Sequence, residues 1–431
     1  MSINNHPSES LFTQYSRNLA HKYADLLKYE LDQRCYYYGD HYLNSLEKKH
    51  SFKAELEKNA LEKLIDAFVL FKSFSKTSQS AKILSTAYHN IPEKFKNEQF
   101  SFSRPPWNYN KQPSNVFDFA LYQKAKHLTK QIGSRSFEEL FSEEFSHLMD
   151  GFSKQLEGYL VKNHFVANFL PADVGFFEKL SIQVGKQLGI PSFLFIHGLP
   201  AAYNSIENNR TDYLVVWGEA IKRNFVENGI ASSKIIVAGH PAYSRPLHAK
   251  LRNEWNDILV VTKSIPGSQL SHHYAIKDRS NLIYYLGVLQ QTLESIGVKS
   301  VRLRPHPSEN IEWYKKWIDN RFYRMDVGPL STALDRSSLV IGPTSTLFVE
   351  SLVKGVNYVV YEPYFFNGTG LDGNILVPPF DGSDHRVPVA NSAEGLVDIL
   401  SSKKCADLSI LEDYISEEFD TSQIIDKIPS S

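Results

Sequence analysis

The chain has 431 residues, with 47 Lys and Arg against 48 Asp and Glu and a formal charge of −1. At about 150 residues per domain this length predicts two or three domains, and 42% hydrophobic residues suffice for packed cores, which excludes wholesale disorder. Two cysteines, Cys35 and Cys405, exclude a disulfide scaffold and a thiolate zinc cluster, and the balanced charge speaks against a general nucleic-acid binder. No apolar run is long enough to span a bilayer, and the opening MSINNHPSES lacks the features of a signal peptide. A cytoplasmic protein, soluble or peripherally attached, is the expectation.

In chain order, residues 1–10 are polar and read as loose. From about Leu11 to Phe74 the pattern is helical; Leu61, Leu64, Ile65, Phe68 and Phe71 mark one amphipathic face. Ala81–Tyr88 reads as a strand and Arg104–Ser114 as a loop. Helical patterning resumes over Ser136–Leu160. Strand readings at His164–Leu170, Ser192–Ile196, Tyr213–Val216 and Lys234–Ala238 then alternate with helices at Gly175–Leu188 and Glu219–Asn228. A second series begins at Asp257. Its strands are Ile258–Thr262, Ser300–Arg304, Leu339–Ile341 and Tyr358–Tyr361. Its helices are Ser280–Ile296, Leu330–Ser337, Thr346–Val353 and Ala393–Ser401, with a loop-rich stretch over Pro363–Pro388. Strands alternating with helices imply parallel sheets. The fold expected is α/β, two Rossmann-like domains facing across a cleft with an N-terminal helical extension. The expected divisions are the extension at 1–78, a first Rossmann-like domain at 79–250, a second at 251–403, and a tail at 404–431.

Three segments carry chemistry. In Val301-Arg302-Leu303-Arg304-Pro305-His306-Pro307 alternate side chains share a face, so Arg302, Arg304 and His306 point one way while Val301 and Leu303 enter the core. The prolines stiffen this strand end, and strand C-termini line the ligand crevice of a parallel sheet. A phosphate could accept from His306 and Arg304 there; the alternative is a solvated basic strand end. In Ile341-Gly342-Pro343-Thr344-Ser345-Thr346 a strand, a turn and a helix start follow in order, a phosphate-binding arrangement. Thr346 and Glu350 share a helix face, which would let Glu350 meet a ribose; the alternative is ordinary capping by Thr344 or Ser345. In the first series, Asp173 follows one strand, Glu178 lies in the next helix and His197 ends the following strand. A carboxylate or imidazole there could deprotonate an acceptor hydroxyl or attack an anomeric carbon. Equally, Asp173 could cap its helix, and for Glu178 a place on the surface is the leading reading. Lys263 and Ser264 end the first strand of the second series, where phosphates bind; simple solvent exposure is the alternative. His272 and His273 lack a third ligand, so no metal is expected. P-loop, dinucleotide-fingerprint and nucleophile-elbow motifs are absent.

The ordered set RPHP at 304–307, GPTSTLFVESLVKG at 342–355 and VVYEP at 359–363 resembles the C-terminal half of bacterial surface-polysaccharide glycosyltransferases of GT-B architecture with cytidine-activated donors: sialyltransferases, polysialyltransferases and Kdo transferases. IPSFLFIHG, TDYLVVWGEAIKRNFVENGI and KIIVAGHP resemble the end of their first domain. The resemblance covers roughly residues 160–365. It implies that His306, in the pair with Pro307, binds the donor phosphate and that Ser345 and Thr346 do the same. It implies no cofactor beyond the CMP-sugar donor substrate, and no metal. The implied partners are a nucleotide-sugar donor and a glycan or lipid-linked glycan acceptor, with no nucleic acid and with peripheral contact to the inner membrane as a further expectation. The acidic pair of the sialyltransferase pattern is reduced here to Asp173 in Ala172-Asp173-Val174-Gly175, a departure that leaves the base open. His197-Gly198 matches CDP-glycerol-type transferases, in which such a histidine is the proposed base. A polyol-phosphate transferase and a non-catalytic glycan-binding assembly protein are therefore the alternatives.

Overall fold

The computed structural model describes residues 17–18, 21–31, 81–87, 90–95, 100–111, 118–203, 209–246, 250–263, 276–307, 309, 311–363, 370–371 and 375–429. Two six-stranded parallel sheets organise the chain. The first contains β1 (Lys82–Ser85), β2 (Ser101–Ser103), β3 (Phe165–Leu170), β4 (Ser192–Phe195), β5 (Tyr213–Val216) and β6 (Ile235–Val237), in the order β2-β1-β3-β4-β5-β6. The second contains β7 (Ile258–Val261), β8 (Val301–Arg304), β9 (Tyr323–Met325), β10 (Leu339–Gly342), β11 (Asn357–Tyr361) and β12 (Val389–Ala390). Its order is β12-β11-β10-β7-β8-β9, so the chain winds outwards from β7 to one edge and then from β10 to the other. The molecule is thus α/β with two Rossmann-like domains. Within the second sheet, the strand order reverses between β7 and β10, and that reversal opens a crevice at the C-terminal ends of the strands.

Local sequence explains the strands. β7 (ILVV), β10 (LVIG) and β11 (NYVVY) are buried throughout, as strands covered on both faces must be. In β8 burial alternates, with Val301 and Leu303 inside and Arg302 and Arg304 on the other face, as the sequence predicts. Side-chain caps start several helices. Asp118 accepts from the Leu121 amide at 2.9 Å before the helix Phe119–Ser134, and Ser136 and Glu139 form a reciprocal capping box.

Much of the expected N-terminal extension lies outside the described residues. Of it, residues 24–31 are helical, and Leu26, Leu27 and Leu31 pack into a core shared with the helices Phe119–Ser134 and Glu143–Lys162. Three differences from the sequence reading stand out. The stretch read as a loop contains a 3-10 turn, Pro106–Lys111, directly after β2. Edge strands β2, β9 and β12, of two or three residues each, were not predicted. Residues read as a tail return to the first sheet. The Ser416 amide bonds the Trp217 carbonyl at 2.8 Å, the Asp420 amide bonds the Ala238 carbonyl at 2.7 Å, and Ile424 and Ile428 enter the core beneath β3–β6. Gly239, at φ +90°, lies so close to the Glu418 backbone that no Cβ would fit. Only glycine meets both demands.

One hydrophobic core runs through both domains. It joins Leu194, Leu214 and Trp217 of the first to Leu259, Val340 and Phe348 of the second, with Ile410 and Leu411 of the returning segment. Among the described residues no helix is long and apolar enough to cross a membrane.

Candidate functional site

The end of β7 is the hinge of the site. Strand order places it between β10 and β8, each a strand spacing of about 4.8 Å away. Its next two residues point opposite ways, as consecutive residues of an extended chain do. Thr262 reaches towards β8, where its hydroxyl accepts from the His306 amide at 3.1 Å and donates to Glu309. Lys263 reaches towards β10, with Nζ 2.8 Å from Thr344 Oγ1 and 2.9 Å from Glu362 Oε1. The two motif segments named from the sequence are therefore joined through adjacent residues on one sheet edge.

On the β10 side, Gly342 brings its turn hard against β7. A Cβ there would run into the Val261 side chain and lie 2.6 Å from the Tyr358 hydroxyl, which itself donates to the Pro343 carbonyl at 2.6 Å. Glu362 follows β11 and is fully buried. It accepts from the Thr344 amide at 2.7 Å, the Thr344 hydroxyl at 2.9 Å and the Leu371 amide at 2.7 Å, besides Lys263. This dense acceptance compensates the large cost of burying a carboxylate. Ser345 Oγ accepts from the Leu347 amide at 3.2 Å and so turns the chain into the helix Leu347–Val353. Thr346 occupies the cap position without a side-chain capping bond. Its Oγ1 instead accepts from the Leu199 amide of the first domain at 2.9 Å. The alternative of capping by Thr344 is thereby overturned, because Glu362 and Lys263 engage that hydroxyl.

On the β8 side the charge arrangement differs from expectation. Arg302 bonds Asp257 at 2.7 Å and Asp326 at 2.6 Å, while Arg304 bonds Asp326 at 2.9 Å and the Gly328 carbonyl at 2.7 Å. Two guanidinium groups face two carboxylates, so the basic strand end is neutralised internally. Arg304 is committed to β9 and its following turn. His306 and Pro307 are exposed at the rim. Neighbouring atoms still desolvate the imidazole enough to hold its pKa below the ordinary value.

The first domain contributes the other wall. His197 is exposed after β4, and Gly198 beside it lies against Thr346; a Cβ on Gly198 would sit 2.6 Å from Thr346 Oγ1. Asp173 is 1% exposed and its Oδ2 accepts from the Arg210 amide at 3.2 Å, so its carboxylate braces the neighbouring loop rather than opening on the cleft. Glu178, which one reading left on the surface, folds back over Gly175 at the start of the helix Phe176–Gln187, and burial raises its pKa. Glu30 takes the Phe176 amide at 2.6 Å at the same helix start, and burial pushes its pKa up to about 7. Glu350 accepts from the Tyr243 hydroxyl at 2.9 Å, a bond from the interdomain segment, and burial raises its pKa.

A pocket opens at the seam between the domains, with Lys263, Thr344 and Ser345 on one wall and Leu199, Pro200 and Ala201 on the other. Ser264 lies outside the described residues, as do His272 and His273. Among the described residues no group of three His, Cys, Asp or Glu could hold a metal. Thr262, Glu309 and Glu362 join the site without being among the candidates that the sequence motifs single out. A signal existed for two of them: Glu309 stands three residues after His306, the spacing of a capping box, and Glu362 is the acid of VVYEP at a strand end.

No family model and no curated protein matches the chain. Solved structures similar to it include UDP-GlcNAc 2-epimerase from Methanocaldococcus jannaschii in complex with UDP-GlcNAc and UDP, at 14% identity and TM-score 0.44, covering 80% of this chain and 98% of that one. MurG from Acinetobacter baumannii is similar at 12% identity and TM-score 0.46, covering 81% and 98%. TarM is similar at 10% identity and TM-score 0.37, covering 64% and 57%. At these values the likeness carries no argument, and the fold rests on the two sheets themselves.

Proposed function

We propose that this protein is a glycosyltransferase that moves a 2-keto sugar acid of the Kdo or sialic acid type from a CMP-activated donor to a lipopolysaccharide or capsule glycan. The observation that carries the reading is the pair Thr262 and Lys263. Side by side at the strand-order reversal, they bind the His306 turn and the Thr344 hydroxyl respectively. Lys263, Ser345 and His306 would stabilise the phosphate of the departing nucleotide. In the transfer the acceptor oxygen bonds the anomeric carbon, the bond from that carbon to the phosphate oxygen breaks, and CMP leaves with the electron pair. His197, exposed after β4, receives the acceptor proton in this reading; Asp173 is buried, and Glu178 is folded back over Gly175. Arg304 acts only through the ion pairs that hold β8 and β9. The acceptor class implies a cytoplasmic location at the inner-membrane edge.

The position of His197-Gly198 against the hydroxyl turn supports a second reading, a transferase of polyol phosphate from CDP-glycerol or CDP-ribitol. Thermal melting against CMP, CDP, UDP and GDP tests the nucleotide. A ligand at 100 times its Kd stabilises by about 2.7 kcal/mol, and a cytidine-selective shift is expected. Turnover with CMP-sugars against CDP-polyols then separates the two readings. A protein that binds glycan but melts identically with all four nucleotides would be the non-catalytic assembly protein instead.

A further inference from the structure

We propose that Glu309 is a positioning residue whose carboxylate, through the His306 amide, fixes the imidazole at the rim of the second sheet. Its functional consequence rests on the reading of His306 as a ligand of the donor phosphate. Glu309 and His306 hold each other reciprocally. The His306 amide donates to Glu309 Oε2 at 2.7 Å, and the Glu309 amide donates to the His306 carbonyl at 2.9 Å. Both backbone polar groups of His306 are thereby engaged by one residue, which leaves the imidazole as the part that faces outwards.

The carboxylate is fastened from two further elements. The Thr262 hydroxyl, beyond the end of β7, donates to Oε2, and the Tyr314 hydroxyl, in the helix Ile311–Trp317, donates to Oε1 at 2.8 Å. Glu309 is 8% exposed. A carboxylate so enclosed has no face for a nucleotide, which excludes direct ligation. Burial raises its pKa to about 7 against the lowering effect of its three donors. A buried acid carries a desolvation penalty that an alanine would avoid; what it supplies here is a rigid link between β7, the turn at His306 and the next helix. Because Thr262 precedes Lys263, the same link sets the spacing between the two groups assigned to the phosphate.

Glutamine can copy this geometry. Its amide oxygen can accept from the His306 amide and the Thr262 hydroxyl, and its NH2 can donate to the Tyr314 oxygen. The test compares E309Q, E309A and E309D, each checked for folding by circular dichroism. The His306 imidazole is titrated by NMR in each, and CMP is used as the probe in thermal melting and equilibrium binding. In the wild type and E309Q the imidazole should titrate below the ordinary histidine value, and CMP affinity should agree within about threefold. In E309A the released turn should carry the ring away from the neighbouring atoms that desolvate it, its pKa should rise towards about 6.5, and CMP affinity should fall at least about tenfold. If E309A does not fold, E309D, one methylene short of its partners, should show the same direction. An imidazole that titrates identically in E309A or E309D and in the wild type overturns the proposal, as does E309Q behaving like E309A. If the wild type binds no cytidine nucleotide, the donor-site reading fails while the His306 titration still decides the role of Glu309.

Discussion

Thr346 Oγ1 accepts a hydrogen bond from the Leu199 amide at 2.9 Å, and this contact ties the helix tip of the second domain to the strand end of the first. Gly198 allows it, since any Cβ there would press on the same oxygen at 2.6 Å. Each single substitution should loosen the seam. T346A leaves the Leu199 amide without its acceptor, at about 1–3 kcal/mol, and G198A forces the oxygen aside. In chemical denaturation, G198A/T346A should be less destabilised than the sum of its parts, because removing the hydroxyl relieves the clash. Strict additivity would mean that the two residues do not meet.

The Lys263–Glu362 pair is buried, with Lys263 at 11% side-chain exposure and Glu362 at 0%. Breaking one partner of a buried pair typically costs about 3–5 kcal/mol, because the other charge is left uncompensated. K263M and E362Q should each destabilise strongly, and K263M/E362Q should recover part of the loss. Urea denaturation of the four proteins checks this. K263M should also abolish the stabilisation by CMP, whereas a retained shift would remove Lys263 from the phosphate site.

His197 and Asp173 divide activity from stability. H197A removes an exposed ring, so melting should change by less than about 0.5 kcal/mol while turnover falls by about 100-fold or more. D173N weakens a buried brace on the Arg210 amide, so about 1–3 kcal/mol of stability should go while turnover per folded molecule holds. The reverse pattern would restore Asp173 as the base.

His306→Ala should abolish turnover and leave the fold intact, since the side chain is exposed and its backbone bonds survive the change. Losing one preorganised donor to a developing charge typically lowers kcat by about 10²–10³-fold. Wild-type rates in H306A would end the phosphate assignment.

Glu309 also gives the protein a pH signature. Its folded pKa is raised to about 7 from 4.5, so the folded state binds a proton that the unfolded chain has released between those values. By linkage its contribution to stability is fully present below about pH 4.5 and is lost as pH rises through about 7, up to roughly 3 kcal/mol. Glu30 acts in the same direction. His240, depressed to about 4 by burial, opposes it: that contribution is present above about pH 6.5 and is lost as pH falls towards 4. The difference between E309Q and wild type isolates Glu309. E309Q should gain on the wild type as pH rises from 5 to 7.5, and parallel pH profiles would contradict the burial of this acid.

The sequence by itself determined the α/β class, the strands β7, β10 and β11, and the segments that face the crevice. It could do so because burial on both faces writes a continuous apolar run, and because a proline or glycine after such a run marks its end. The short edge strands β2, β9 and β12 left no such trace, since two or three residues do not establish a period. The tertiary structure alone decided which charges are answered. Arg304 looked cationic until sheet order set Asp326 beside it, and the acid of VVYEP became a ligand of Lys263 only when β10 paired with β7 and carried β11 on its other side. Local pattern reports how deeply a side chain is buried. The identity of its partner depends on which distant strand the topology places alongside, and the chain's own order does not contain that distance.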